Sequence, residues 1–191
     1  MDIDADAMNR NDALDFRYEG DVCNKSIIGK DNYDLLTCHS GIEHFQNVQK
    51  FLDTAFLSLR PGGALIAQFP SSLAPFAIIN KLLPEELKNN LLKGILGSNA
   101  DEIGYPVYYD KCRYSAFKRA AERSGFQVEC YLATFPSSGY FRFLFPLFLL
   151  SQVLDIIRLV CGTKDMASYN VFVLRRPGDH FQIKLSWHSN F

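Results

Sequence analysis

The chain has 191 residues, a hydrophobic content of 48% and a formal net charge of −1. This length and composition predict one globular domain with a proper core, and the near-neutral charge gives no reason to expect nucleic acid as a partner. The five cysteines are widely spaced and form no Cys-x-x-Cys pair, so neither a disulfide framework nor a zinc site is indicated. Because the acidic, polar N-terminus is no signal peptide, we expect reduced thiols in a cytoplasmic protein.

Alternating polarity and helical spacing predict a β-α-β crossover in the first half of the chain. Weaker elements precede it: the tail of a strand at 1–4, a helix at 5–14, a strand at 16–22 and a polar connection at 25–32. The crossover consists of a buried strand at 33–38, a helix at 48–59 that Pro61 and Gly62 stop, and a strand at 64–69. This arrangement is the unit of a parallel, doubly wound sheet.

The pattern is less regular after residue 70. Residues 71–114 are too long for a plain connection, and they contain one clear helix at 84–96. The later elements are a helix at 117–124 with Ser115 as its cap and Gly125 as its end, a strand at 126–135 and a strand at 169–175. Residues 178–191 lack periodicity, and we predict an irregular tail with at most an edge strand. Alternating strands and helices favour an α/β fold.

An amphipathic helix is predicted at 141–161. Its uninterrupted apolar part is too short to span a membrane, which needs about 20 such residues. Ser151, Asp155 and Arg158 recur at helical spacing on one side, and apolar residues recur on the other. Two interpretations stay open: a helix that packs on the core, or a lid or interfacial helix that faces an apolar substrate or a bilayer surface.

Several short motifs in the crossover resemble one known family. They are Asp34-Leu35 in the first strand, Glu43-His44 before the helix, and Leu59-Arg60-Pro61-Gly62-Gly63 before the second strand. In this wording and spacing the chain resembles the second half of the class I S-adenosylmethionine-dependent methyltransferases of the type 11/12 kind. The resemblance covers residues 1–177. It implies a Rossmann-like, doubly wound, mainly parallel sheet in the order 3-2-1-4-5-7-6, with an antiparallel last strand and a helical lid insertion at 71–114.

The family's glycine-rich cofactor loop has no counterpart in the sequence. That loop follows the first strand of the family and supports the methionine and ribose of the cofactor, but the chain contains no Gly-x-Gly. We therefore expect a partial methyltransferase domain that lacks strand one, a C-terminal portion of the family's domain. The loss would leave strand four with an unpaired edge.

The resemblance implies S-adenosyl-L-methionine as the cofactor and assigns residues to it. Asp2 would accept hydrogen bonds from the ribose hydroxyls, and Asp21 would accept from the adenine amino group. The backbone N–H of Val22 would face a ring nitrogen. The turn at Cys38 and His39 would border the methionine part, because ligands of open α/β sheets bind beyond the carboxyl ends of strands. Without the resemblance, Asp2 is a solvated terminal residue and Asp21 is a turn residue that closes a strand.

His44 is the candidate catalytic residue. In the family a histidine at this position acts as a base in some branches, and in others a Glu-x-x-Glu-His run binds a divalent metal. Here Ser40 replaces the first Glu of that run, so we expect no metal site. The alternative is that Glu43 and His44 cap the helix and pack locally.

Three tyrosines of the insertion, Tyr105, Tyr108 and Tyr109, are candidate substrate residues, since tyrosine offers an apolar ring and a polar hydroxyl. Packing between lid and sheet would explain them as well. The predicted function is methyl transfer to a small-molecule or lipid-like acceptor, with possible peripheral contact with a membrane. The alternative is a non-catalytic module that binds a protein partner or a membrane surface through a strand edge or the 141–161 helix. The oligomeric state is unknown from sequence.

Overall fold

The computed structural model describes residues 12–24, 29–82, 106–137 and 145–178. The elements within these ranges are β1 (Tyr33–His39), α1 (Val48–Ser58), β2 (Leu59–Pro70), α2 (Pro75–Leu82), α3 (Tyr114–Arg123), β3 (Gln127–Thr134), α4 (Phe145–Cys161) and β4 (Tyr169–Arg175), with 3-10 turns at Ile42–His44 and Lys164–Met166. The predicted strand at 1–4, the helix at 84–96 and nearly all of the tail at 178–191 lie outside the described residues, as does most of the predicted helix at 5–14.

Four strands form one mixed sheet in the order β1-β2-β4-β3. β1 and β2 pair in parallel, whereas β4 is antiparallel to both β2 and β3. It follows that β1, β2 and β3 run in the same direction, and that their carboxyl ends meet at one edge of the sheet. Within the described residues β1 is an edge strand; the wider, mainly parallel sheet stays a prediction.

The core lies between one face of this sheet and the helices α1 and α3. Phe69, Phe117 and Phe172 form its centre, and their ring centroids are 4.5 to 6.0 Å apart. All three side chains are fully buried, and rings at these separations gain attraction beyond the burial of their area. The predicted crossover is present here as β1-α1-β2, and its buried residues belong to this core.

The Arg-Pro-Gly-Gly segment belongs to the strand, which corrects the prediction of a turn that precedes it. β2 begins at Leu59, which pairs with Tyr33, and the β1–β2 register shifts before Leu35. Gly62 supplies a φ of +86°, which side chains rarely adopt. A Cβ at Gly63 would lie 3.1 Å from the carbonyl oxygen of Asp34. The glycines therefore permit an irregular strand start close to β1.

The predicted strand at 16–22 is wrong: only Glu19 forms an isolated bridge. Phe16 and Tyr18, which supplied the apolar half of the alternation, are 77% and 53% exposed. An alternating segment needs a surface to bury its apolar face and a strand to pair with. Among the described residues only Val22, at the end of the segment, packs against the core, and the pairing is limited to the bridge at Glu19.

The predicted cap of α3 is also wrong. The helix begins at Tyr114, and Ser115 makes no cap bond; instead its backbone N–H donates to Oδ1 of Asp165 at 2.7 Å. The cap thus comes from a residue 50 positions later in the chain. The predicted glycine end is present, because Gly125 has a φ of +99° and Phe126 N–H donates to the carbonyl of Ala121, as in a Schellman motif.

Helix α4 buries the side that its sequence marks as polar. Ser151, Asp155 and Arg158 are 3%, 6% and 6% exposed, whereas nine large apolar side chains on the other sides of the helix are at least 42% exposed. The interpretation of α4 as a helix that packs on the core with its apolar side is therefore wrong. No helix of the described residues is long and apolar enough to cross a membrane.

Candidate functional site

The candidate site lies at the edge where β1 and β2 end. Ser40 adopts a φ of +51°, and its backbone N–H donates to the carbonyl of Gln68 at 3.0 Å, which continues the pairing beyond the last residues of the strands. Cys38 lies on the core side of β1, and His39 is exposed on the other side. The turn then leads directly into the 3-10 turn Ile42–His44, whose Ile42 is fully buried.

The turn that holds Asp21 and Val22 contacts the start of α1. Oδ1 of Asp21 accepts from the backbone N–H of Cys23 at 2.8 Å, so Asp21 closes a turn as the plainer interpretation expects. The thiol of Cys23 donates to the carbonyl of Asn47, the residue before α1, at 3.8 Å, and the carbonyl of Cys23 accepts from the hydroxyl of Thr54, further along the helix, at 3.4 Å. Val22 is half-buried against the core. Asp21 itself is exposed and can still meet a ligand.

Residues 106–112, here called the strap, cross the 3-10 turn. The backbone N–H groups of Tyr108 and Tyr109 both donate to the carbonyl of Glu43, at 2.8 and 3.0 Å. The hydroxyl of Tyr108 accepts from Nε2 of Gln46 at 2.9 Å. Nζ of Lys81 lies 4.8 Å from the ring centroid of Tyr109, within cation–π range. The strap thus brings two of the three predicted substrate tyrosines to the predicted catalytic pair.

The strap also supplies the cap of α1. Oδ2 of Asp110 accepts from the backbone N–H of Val48 at 2.9 Å, and Oδ1 of Asn47 accepts from that of Lys50 at 3.0 Å. Together they satisfy two of the helix's unpaired N-terminal donors. The alternative role of Glu43 and His44 as helix caps is therefore wrong, because both residues lie in the 3-10 turn before the cap.

The imidazole of His44 is oriented by the strap. Nδ1 lies 3.0 Å from the carbonyl oxygen of Pro106, and since a carbonyl only accepts, Nδ1 carries the proton. In the neutral ring Nε2 is then the basic atom, and it lies 4.0 Å from Oε1 of Glu43. This tautomer leaves the nitrogen that can take up a proton on the side of Glu43.

Glu43 is a buried carboxyl, 7% exposed, and its Oε2 has no hydrogen-bond partner among the residues that the structure describes. Burial raises its pKa, and the nearby imidazoles of His44 and His39 oppose that rise only partly. Burial therefore makes this carboxyl harder to ionise than a solvent-exposed glutamate. This electrostatic role was not predicted from sequence, where Glu43 was treated only as a metal ligand or cap.

The thiols around the site are poor nucleophiles. Burial, followed by the charge of Glu43, raises the pKa of Cys38 to about 12. Burial and Asp21 raise the pKa of Cys23 to about 12, and burial raises the pKa of Cys112. Thiolates are the reactive form, so nucleophilic catalysis by these cysteines is disfavoured. Among the described residues no group of His, Cys, Asp and Glu side chains is arranged to hold a metal ion.

Most predicted site residues are close to one edge of the sheet. Cys38, His39 and His44 belong to it directly, the strap adds Tyr108 and Tyr109, and the Asp21-Val22 turn flanks it across the start of α1. Asp2 and Tyr105 lie outside the described residues. The sequence analysis did not predict Gln46, Lys81 or Asp110 as site residues. The one signal in the sequence was that Gln46 is a polar residue just before a helix. That signal does not reveal which residues of the strap it contacts.

The fold is that of the class I S-adenosylmethionine-dependent methyltransferases. An S-adenosylmethionine-dependent methyltransferase from Mesorhizobium loti has a TM-score of 0.54 and 15% identity, and the match covers 91% of this chain and 78% of that one. Loganic acid methyltransferase with SAH has a TM-score of 0.50 and 13% identity, with 85% of this chain and 66% of that one covered. The putative methyltransferase in a complex with the Haloferax volcanii Trm112 methyltransferase activator has a TM-score of 0.50 and 13% identity, with 91% of this chain and 66% of that one covered. Identities this low establish the fold alone.

The chain spans 66% of the length of the second and third of these proteins. No protein-family model matches the sequence. No curated protein matches it.

Proposed function

We propose that the chain takes part in S-adenosylmethionine-dependent methyl transfer to a small, hydrophobic acceptor. The observation that carries the proposal is the convergence of three groups, all assigned from the one resemblance, on one edge of a methyltransferase-like sheet. The turn after β1, the Asp21 turn and the strap are distant in sequence, and all three contact the 3-10 turn or the start of α1. Ligands of such sheets bind at this edge.

The residues present fit the adenine end of the cofactor. The carboxylate of Asp21 accepts from the backbone N–H of Cys23 at Oδ1 and also bonds the Cys23 thiol. Because Asp21 is exposed, its carboxylate can still accept from the exocyclic amino group. The neighbouring backbone N–H of Val22 would face a ring nitrogen. Asp2 would hold the ribose hydroxyls, and the turn at Cys38 and His39 would border the methionine part. When bound, the cofactor supplies an electrophilic methyl group.

His44 is the proposed general base. Its Nδ1 proton is held by the Pro106 carbonyl, so Nε2 is the atom that would take a proton from a hydroxyl acceptor. Catalysis of methyl transfer is largely positioning, and the strap fixes the ring for this purpose.

The tyrosines would form the acceptor side of the site. Tyr108 is 45% exposed, and its hydroxyl is held by Gln46. Tyr109 is half-buried and packs at the border of the core. With Tyr105 they would present ring faces to an apolar acceptor. Tyr108 is thus the residue most available to a substrate, whereas packing accounts for part of the role of Tyr109.

A calorimetric titration with S-adenosylhomocysteine tests the proposal. Asp21→Asn keeps an oxygen that can accept from Cys23 N–H, but it places an amide donor where the adenine amino group would donate. We expect about tenfold weaker binding, or about 1.4 kcal/mol. The matched control is Asp34→Ala, which removes an exposed carboxylate paired with Arg60 at the other end of β1 and should leave binding unchanged. Equal affinity of Asp21→Asn and the unsubstituted chain would overturn the role of Asp21.

A non-catalytic interaction module is the second candidate. The observation in its favour is the unpaired outer edge of β1 among the described residues, together with Leu35, which is 53% exposed on that strand. Open strand edges recruit other chains by β-augmentation. One of the similar structures is a complex with an activator protein. If the folded chain gives no heat of binding with S-adenosylhomocysteine, this candidate is favoured over the enzyme.

A further inference from the structure

Helix α4 is held to the domain by its polar side. Asp155 accepts hydrogen bonds from the backbone N–H and the hydroxyl of Ser137, at 2.6 and 2.8 Å. Arg158 donates to the hydroxyl of Ser168 at 3.1 Å and pairs with Asp155 at 3.3 Å. These contacts involve charged groups that are almost completely buried. They fix the rotation of α4 about its own axis, so that its other sides face away from the domain.

The outward side of α4 is apolar over its whole length. Nine large apolar side chains on it are 42% to 80% exposed: Phe145, Leu149, Leu150, Val153, Leu154, Ile156, Ile157, Leu159 and Val160. The only charged residues of the helix are Asp155 and Arg158, and both are buried. A typical monomer's largest apolar patch is about 300–600 Å², and a continuous face of nine half-exposed side chains reaches or exceeds that size.

This apolar face is two stripes wide. One stripe runs through residues 149, 153, 156 and 160, and the other through residues 150, 154, 157 and 161. A partner helix, including that of a second copy, fits knobs into one such stripe and leaves the next one exposed. Protein interfaces also carry a polar rim around their apolar centre, and no charged residue lines these stripes. The hydrocarbon of a lipid layer covers both stripes at once and matches their lack of charge.

Helix α4 lies close to the candidate site, so a lipid contact of this helix would bring the site near the lipid surface. The helix connects the carboxyl end of β3 to the start of β4, and Thr134 and Tyr169 pair there next to Pro70, the last residue of β2. α4 therefore lies at the edge of the sheet that carries the candidate site. At 17 residues it is about 25 Å long, and it would lie along a lipid surface.

We propose that α4 is an interfacial helix that seats this edge of the sheet on the hydrocarbon of a lipid layer, so that the acceptor is drawn from the lipid phase. The helix inserts its two apolar stripes below the headgroups while the Asp155–Arg158 side stays attached to the domain. The lipid contact stands on the geometry of α4 alone. The source of the acceptor rests on the proposed function.

Vesicle flotation of the full chain tests the contact. The probe is vesicles of phosphatidylcholine, a lipid without net charge. An environment-sensitive fluorophore on the exposed Cys161 reports insertion. The label is attached in a Cys130→Ser background, which removes the other exposed thiol. We expect co-flotation and a blue shift that persist in 1 M salt, because no charge is involved. Val153→Glu combined with Ile156→Glu should weaken partition at least tenfold. Leu35→Glu, at an exposed leucine of β1, is the matched control and should float unchanged.

Four results of the vesicle and oligomer measurements would overturn the proposal: no flotation of the folded chain, flotation unaffected by the double Glu variant, flotation abolished by salt, or a lipid-free dimer that the double variant dissociates. A large drop in the urea midpoint of the double variant would also overturn it, since it would show that another part of this chain covers the face. The S-adenosylhomocysteine titration needs no vesicles, and flotation needs no cofactor. Failure of the lipid contact and failure of the proposed function are therefore distinguishable.

Discussion

Asp155 and Arg158 form a buried ion pair within one helix, with 3.3 Å between Oδ1 and Nη1 and side chains that are each 7% exposed. Burial disfavours the charged form of the guanidinium and lowers the pKa of Arg158, while Asp155 acts to raise it. The pair is satisfied by further partners on both sides, namely Ser137, Ser168 and the carbonyls of Phe135 and Met166. It therefore acts as the attachment point of α4.

Removal of one partner of this pair should be strongly destabilising. In Asp155→Ala the guanidinium of Arg158 loses its counter-ion while it stays buried, and we expect a loss of about 3–5 kcal/mol in the free energy of unfolding. Urea unfolding followed by circular dichroism measures it. Glu122→Ala is the matched control, because it breaks an exposed helical pair with Lys118 that is worth less than about 1 kcal/mol. Similar losses in the two variants would contradict the assignment of α4's buried side.

The stability of the chain should fall as pH rises past the ordinary pKa of Glu43. Burial raises the folded-state pKa of this carboxyl above its usual value of 4.5, so the folded state binds the proton more tightly than the unfolded state does. Its contribution is then greatest below the unfolded pKa and is lost as pH rises through the folded pKa. Glu43→Gln should remove this loss and unfold at higher urea than the unsubstituted chain at pH 7. Urea midpoints measured between pH 4 and pH 8 test this; a midpoint of Glu43→Gln that is equal or lower at pH 7 would contradict it.

Two of the five thiols should react fast with a disulfide reagent. Cys130 and Cys161 are exposed. Burial raises the pKa of Cys23 and Cys38 to about 12, and Cys112 is fully buried. At pH 8 we expect two rapid equivalents per chain, followed by slow reaction of the rest. The Cys130→Ser variant should lose one rapid equivalent. More than two rapid equivalents in the folded chain would show that the thiols beneath the site are accessible.

Gly125→Ala should destabilise the chain by about 1–2 kcal/mol, the cost of a left-handed residue with a side chain. Gly125 has a φ of +99°, and a Cβ there would meet the ring of Phe56 at 2.9 Å. Gly178→Ala is the control, because nothing lies within 4 Å of its Cβ position. Thermal unfolding of both variants measures the difference. If the two melt alike, the turn after α3 does not need glycine.

The crossover was predictable because its information is local. The apolar strand at Tyr33–His39 and the helical spacing of Val48–Ser58 each follow from a few neighbouring residues. The start of β2 was misplaced because the pairing of Leu59 with Tyr33 is not local. The resemblance to methyltransferases added the idea of a ligand edge after β1. The same local information gave the glycine end of α3, since a left-handed residue after a helix is a property of its own sequence.

Errors arose where a partner distant in sequence decided the outcome. The pattern of α4 shows two sides, but only Ser137 and Ser168 decide that the polar side is the buried one. Asp165 replaces Ser115 at the start of α3, and Asp110 shares the cap of α1 with Asn47. The segment at 16–22 alternates, but only Val22 at its end packs against the core. None of these partners can be read from periodicity.

Hydrogen bonds join the strap and the 3-10 turn into one unit. The carbonyl of Glu43 accepts from two backbone amides of the strap, and the carbonyl of Pro106 accepts a hydrogen bond from Nδ1 of His44. Three hydrogen bonds therefore connect the 3-10 turn to the strap. Displacement of Tyr108 would therefore be transmitted through the strap to the ring of His44. Under the proposed function, an acceptor that fits the tyrosine side badly would also disturb the proposed base.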